Sequence, residues 1–191
     1  MHVIRRQFLA QIAAAVAAVP SAPAFAQVQM SRPTAYAFSF SGLDGSSIRL
    51  AAHAGKPILI VNTASHCGYT PQYTGLQELW TRYGERGLTI IGVPSNDFGG
   101  QEPGGPAEIM KTAQQTYGVS FPLAAKAEVR GPATHPFYKW AALERPGETP
   151  RWNFHKYLIG RDGHIVAAFS SQTEPTDPRV IAAVERELAP K

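Results

Sequence analysis

The chain holds a single cysteine, Cys67, and the residues around it are of the kinds that make a thiol reactive. It lies in the run Asn62-Thr63-Ala64-Ser65-His66-Cys67-Gly68-Tyr69-Thr70-Pro71-Gln72-Tyr73, directly after an apolar strand-like segment and directly before an amphipathic helix-like one. Unpaired backbone N–H groups and the positive end of the helix dipole favour a thiolate at a helix N-terminus. Inside an apolar face the same residue would be a small, inert hydrophobe. The neighbours His66, Tyr69 and Thr70 are polar or amphipathic, and Gly68 lets the backbone approach closely, so the reactive setting is expected. In Cys67-Gly68-Tyr69-Thr70 a hydroxyl stands where a C-x-x-C motif has its second thiol, which excludes dithiol exchange within the motif. Attack on a peroxide, a mixed disulfide with another molecule, or metal ligation remain. The six histidines show no H-x-x-x-H spacing, so no metal site is expected.

The elements that would position Cys67 can be read from periodicity. Tyr36, Phe38 and Phe40 alternate with small residues, Gly42 to Ser47 makes a turn and Ile48 to Leu50 follows, so a hairpin is expected to open the domain. Pro57 to Asn62 and Leu88 to Val93 are continuous apolar runs, the mark of strands buried on both faces. Between them Leu76, Leu79, Trp80 and Tyr83 recur at helical spacing, which predicts a helix from Pro71 to Glu85 capped by Thr70 and stopped before Gly87. A Gly/Pro-rich loop spans Pro94 to Gly105, with further helices expected at Pro106 to Tyr117 and Pro136 to Leu143 and an extended piece at Phe121 to Ala124. Strands at Tyr157 to Ile159 and Ile165 to Phe169 flank the turn Asp162-Gly163, and Asp177-Pro178 caps a last helix bearing Val180, Ile181, Val184 and Leu188. The expectation is an α/β chain with a central mixed sheet flanked by helices and an N-terminal β-hairpin, compatible with a thioredoxin-like fold.

The first residues read as an export signal. Arg5-Arg6 precede an Ala-rich apolar stretch from Ala10 to Val19, and Ala24-Phe25-Ala26 is a small-x-small cleavage site, so 1–26 is expected to be removed near Gln27. Arg5-Arg6-Gln7-Phe8-Leu9 also fits a twin-arginine signal, although Ile4 departs from the usual Ser or Thr and no Lys follows Leu9. The apolar stretch is shorter than the roughly 20 residues a bilayer needs and is broken by Pro20 and Pro23, so no stable membrane anchor is expected and the location is periplasmic or secreted. Residues 27–35 are expected to be a disordered tether, and 36–191 a single domain. The net charge of +4 falls to +2 without Arg5 and Arg6, and no Lys/Arg run marks a nucleic-acid partner. One cysteine in an exported chain rules out an internal disulfide.

Three blocks carry a family pattern: the run from Asn62 to Leu76, then Gly92-Val93-Pro94-Ser95-Asn96-Asp97-Phe98-Gly99-Gly100-Gln101-Glu102-Pro103-Gly104, then Trp152-Asn153-Phe154-His155-Lys156-Tyr157-Leu158. In order and approximate spacing they resemble the glutathione peroxidase family in its cysteine form, over essentially all of residues 36–188. The resemblance implies a thioredoxin-like fold and a catalytic group of Cys67 as peroxidatic nucleophile with Gln101, Trp152 and Asn153. By type alone Gln101 would be an ordinary loop residue, Trp152 a core residue and Asn153 a turn residue, and His66 is expected to face solvent. Carboxamide and indole N–H groups can hydrogen-bond a thiolate, and then the departing oxygen, without adding negative charge.

Magnitudes separate those two tasks. Free cysteine is already a few per cent thiolate at neutral pH, so full ionisation gains roughly 30-fold. Lowering a thiol pKa by about 3 units costs roughly 20- to 30-fold in nucleophilicity. The two nearly cancel, which leaves the acceleration to donors that stabilise the departing hydroxide or alkoxide, each worth ~10²–10³.

The chain departs from the pattern where many cysteine-type members carry a resolving thiol. Ala113 stands at that site in the helix after the Gln block, and Ser95 replaces a second frequent cysteine. A sulfenic acid on Cys67 would therefore need an external reductant, glutathione or an exported thioredoxin-like protein, with no cofactor. Arg151 and Lys156 flank the Trp-Asn pair and are candidates to attract a glutathione carboxylate. The family's oligomerisation insert is absent between Ala125 and Trp152, which implies a monomer. The expected activity is thiol-dependent reduction of hydrogen peroxide or organic hydroperoxides. The rivals are a redox sensor or adaptor that oxidises without turnover, and a periplasmic copper-binding module on the same fold.

Overall fold

The computed structural model describes residues 32–190; the expected signal peptide and residues 27–31 of the expected tether lie outside them. The two continuous apolar runs form the centre of a four-stranded sheet. Strand β3, Ile58–Thr63, and strand β4, Thr89–Pro94, are buried at every position and pair in parallel, Ile60 opposite Ile91. Helix α1, Gln72–Tyr83, crosses between them. On the other side of β3 lies β5, Lys156–Ile159, antiparallel to it, and beyond that β6, Ile165–Phe169, antiparallel again, giving the order β4-β3-β5-β6. The sheet is mixed, as the sequence predicts. The separate hairpin of β1, Ser39–Ser41, and β2, Ser47–Arg49, precedes it.

Each face of the sheet has its own core because alternate residues of a strand point to opposite sides. Leu59, Val61 and Leu158 pack with Leu76 and Leu79 of α1 and with Val180 and Val184 of α4, Pro178–Leu188. Ile58, Ile60, Tyr157 and Ile159 pack instead with Phe137, Trp140 and Ala141 of α3, Pro136–Glu144, and with Phe40 of the hairpin. Helices therefore cover both faces.

Several boundaries differ from the sequence expectation. The helix predicted from Pro106 is α-helical only over Pro106–Met110, α2, and continues as a π-helical segment, Lys111–Thr116, that buries Ala113. Phe121 to Ala124 adds an edge contact to β4 through the bridge Gly92–Leu123 and one to the end of the hairpin's first strand through Gly42–Ala124. Gly92 permits it, since a Cβ there would lie 2.6 Å from the Leu123 side chain. The chain is also packed earlier than residue 36. Pro33 O accepts the Trp140 indole N–H at 2.8 Å and Ala35 is fully buried, because a largely buried indole N–H requires an acceptor.

Candidate functional site

Cys67 sits on the turn that joins β3 to α1, five residues before the helix begins at Gln72. Thr70, the cap the sequence predicts, does something else. Its hydroxyl accepts the Cys67 N–H at 3.0 Å and lies 2.7 and 2.9 Å from the carbonyls of Cys67 and Ala64, and it makes no cap bond to α1. The hydroxyl fixes the turn that holds the sulfur. Cys67 is 7% exposed, more buried than its polar neighbours suggest, and it lies at the border of the core that contains Ala64 and Tyr73. Its Sγ accepts the Tyr69 N–H at 3.4 Å, so the donor that reaches the sulfur is a backbone amide of the turn, in keeping with the N-terminal-amide argument.

The Gln block is drawn to that turn by its main chain: the His66 N–H donates to Gln101 O at 3.0 Å. His66 itself is exposed. Gln101 is half-buried, and its Oε1 accepts from Asn153 Nδ2 at 3.1 Å. The Asn153 amide also reaches Phe98 O at 3.4 Å, so both its protons are engaged. With its oxygen occupied, the Gln101 carboxamide has its Nε2 donors free for a neighbouring acceptor. Asn153 is fully buried, and its amide is engaged with Gln101 and Phe98.

Trp152 is 38% exposed. Its carbonyl accepts from Asn62 Nδ2 at 3.0 Å, and its ring packs near Phe98 with centroids 6.1 Å apart. Gly99, at φ +71°, passes under the ring, and a Cβ there would stand 3.3 Å from the indole. Trp152 lines an open groove of about 540 Å³ together with Tyr69, Arg151, Ser170, Ser171 and Gln172. Sequence reasoning missed Asn62 and Phe98 as supports of Trp152. A carboxamide at the end of an otherwise apolar strand is the signal that could have found the first.

Lys156 corrects the sequence reading. It is fully buried, and its Nζ donates to Gln72 Oε1, Phe154 O and Thr173 O at 2.7, 2.7 and 2.8 Å, so it cannot reach a ligand carboxylate. Burial pulls its ammonium down to about 7 while nearby Glu174 favours the charge. The cage joins α1 to the segment after Asn153, where Phe154 is held at φ 63° and its N–H donates to Asn62 O. Arg151 stays exposed beside Trp152. Ala113 and Ser95 are both fully buried. Among the described residues no group of three or more His, Cys, Asp or Glu side chains could hold a metal ion, and no helix is long and apolar enough to cross a membrane.

A lone thiol on the turn between a parallel strand and its crossover helix, with the main chain of the Gln101 loop hydrogen-bonded to that turn, defines a thioredoxin-like thiol oxidoreductase that lacks a dithiol motif. Residues 35–142 match the glutathione peroxidase family. The hydroperoxy fatty acid reductase gpx1 of Synechocystis is 46% identical over 164 residues, covering 81% of this chain and 96% of that protein. The glutathione peroxidase-like peroxiredoxin GPX5 of Chlamydomonas reinhardtii is 42% identical, covering 76% and 92%. A crystal structure described as Trgpx in apo form superposes with a TM-score of 0.68 at 32% identity, covering 83% and 97%. The chain belongs to the glutathione peroxidase family and is a peroxidase, an oxidoreductase that reduces peroxide with thiol.

Proposed function

We propose that the protein reduces hydrogen peroxide and organic hydroperoxides through a single-cysteine cycle. The Cys67 thiolate attacks the terminal oxygen of ROOH and the O–O bond breaks. The oxygen stays on sulfur as a sulfenic acid, and the alkoxide takes a proton to leave as ROH. An external thiol then condenses with the sulfenic acid, releasing water and leaving a mixed disulfide. A second thiol displaces it and restores Cys67. The oxidant and the reductant are both substrates, so the cycle uses no cofactor.

The observation that carries this reading is the Asn153–Gln101 hydrogen bond beside the Cys67 turn. It supports a role for Gln101 Nε2 as a donor to the departing oxygen, a position where one preorganised donor is worth ~10²–10³ in rate. In this reading Trp152 covers the reacting atoms and Asn153 holds Gln101. The relative named as a hydroperoxy fatty acid reductase and the open groove lined by Trp152 and Arg151 favour hydroperoxy fatty acids among the organic substrates. Glutathione or a thioredoxin-like protein is the proposed reductant, the proposed location is periplasmic or secreted after cleavage near Ala26, and the proposed state is a monomer.

Steady-state peroxide consumption with excess thiol tests the proposal, with glutathione and thioredoxin assayed in parallel and Cys67→Ser as control. Repeated turnover that vanishes in Cys67→Ser supports it. Consumption of one equivalent followed by arrest favours a redox sensor instead.

A further inference from the structure

The residue after Gln101 is a buried acid that the cycle above does not use. Glu102 is fully buried, the only buried carboxyl side chain among the described residues. Neither of its oxygens has a well-aligned protein hydrogen bond, and the same holds for Thr63 Oγ1, Ser65 Oγ and Tyr73 OH. Burial raises the Glu102 carboxyl above its ordinary range, and the Ser65 hydroxyl and N–H are the groups that most oppose the shift, followed by Lys126 and His66. Burial also raises the Tyr73 hydroxyl, with the Thr63 hydroxyl lowering it and Glu102 raising it further. The main-chain bond from His66 N–H to Gln101 O joins the turn that carries Ser65 to the loop that carries Glu102, while Thr63 ends β3 just before that turn and Tyr73 lies in the first turn of α1 just after it.

Unpaired buried polar groups are costly and rare. This group stands between two attachments of the proposed reaction centre. Ser65 is two residues before Cys67, and Glu102 is bonded to Gln101, whose carbonyl already receives the His66 N–H. The Glu102 N–H is in turn held by Asn96 Oδ1 at 2.9 Å. A carboxyl group can accept from hydroxyl and N–H donors such as those of Ser65 and Tyr73.

We propose that Glu102 is a positioning residue for Gln101: its buried carboxyl group, set against Ser65 and Tyr73, clamps the Gln101 loop to the Cys67 turn and fixes the reach of Gln101 Nε2 over the sulfur. The inference rests on the catalytic reading given above. A displacement of about 1 Å in a catalytic group can cost on the order of 100-fold in rate, so a carboxyl group that touches no substrate can still control the oxidation step.

The test measures the two half-reactions separately in the full chain: oxidation of Cys67 by peroxide, and reduction of oxidised Cys67 by glutathione. Glu102→Ala is expected to slow oxidation by about 10- to 100-fold, with reduction and the rate of Cys67 alkylation by iodoacetamide unchanged. Glu102→Gln, which keeps a donor and an acceptor without ionising, restores oxidation to within about threefold. If Glu102→Ala fails to fold, Ser65→Ala removes the clamp from the other side and is expected to show the same selective loss. Equal losses in both half-reactions, no rescue by Glu102→Gln, or a folded Glu102→Ala or Ser65→Ala protein that oxidises at the parent rate overturns the inference. Cys67→Ser separates the two levels. Turnover persisting in that variant overturns the catalytic reading itself, whereas an inactive Cys67→Ser beside an unaffected Glu102→Ala overturns only the role of Glu102.

Discussion

Asn153 Nδ2 donates to Gln101 Oε1 at 3.1 Å across 52 positions of sequence. The bond joins the loop after β4 to the segment before β5, and it fixes which end of the Gln101 carboxamide is left to donate. Two of the side chains that look like parallel donors in sequence are therefore bonded to each other, with Asn153 donating to Gln101.

That order predicts unequal losses. Gln101→Ala should slow Cys67 oxidation by ~10²–10³, and Asn153→Ala by a smaller factor of roughly 10 to 100, because Gln101 remains but is free to rotate. Stopped-flow oxidation rates check this, with iodoacetamide alkylation of Cys67 across pH as the companion readout. Losses that simply follow alkylation rate would return the effect to thiolate fraction.

Lys156 supports the site from beneath rather than binding ligand. Lys156→Met keeps the side-chain bulk but leaves Gln72 Oε1, Phe154 O and Thr173 O without their donor. Leaving buried acceptors unpaired should lower stability by roughly 3 kcal/mol or more. Urea unfolding of the variant against the parent measures it, and an unchanged midpoint would contradict the role given to the cage.

His155 should make the fold acid-sensitive. Burial, with Lys156 adding to it, pulls its imidazole down to about 4, below the ordinary value near 6.5. Above that value the ring is neutral in both folded and unfolded chains and contributes no pH dependence. As pH falls the unfolded chain binds the proton first, so stability is lost from about pH 6.5 and the loss is complete below about pH 4, roughly 3 kcal/mol in all. The difference between parent and His155→Gln unfolding free energies, followed over that range, should carry this slope. A flat difference would refute it.

The sheet was legible because unbroken apolar runs such as Ile58 to Val61 admit few alternatives to a buried strand, and because Leu76, Leu79 and Tyr83 repeat at helical spacing. The π-helical turn at Lys111–Thr116 leaves no such mark, since one residue more per turn is too small a change in period to see over six positions. Site residues were legible through shared motif, but their geometry was not. A hydroxyl after a reactive cysteine reads as a helix cap by position, yet Thr70 faces back to Cys67 and Ala64. Lys156 reads as a surface charge by type, yet its flanking apolar neighbours in the strand Lys156–Ile159 place it inside. Long-range partners such as Gln72 and Thr173, which make a buried ammonium tolerable, are set by topology rather than by local sequence.

Trapping of the oxidised sulfur addresses the proposed chemistry most directly. After one equivalent of hydrogen peroxide in the absence of thiol, dimedone should label the protein once, on Cys67, and later addition of excess glutathione to an untrapped sample should return the free thiol and restart peroxide consumption. Peroxide consumption without a dimedone adduct on Cys67, continuing unabated in Cys67→Ser, would contradict it.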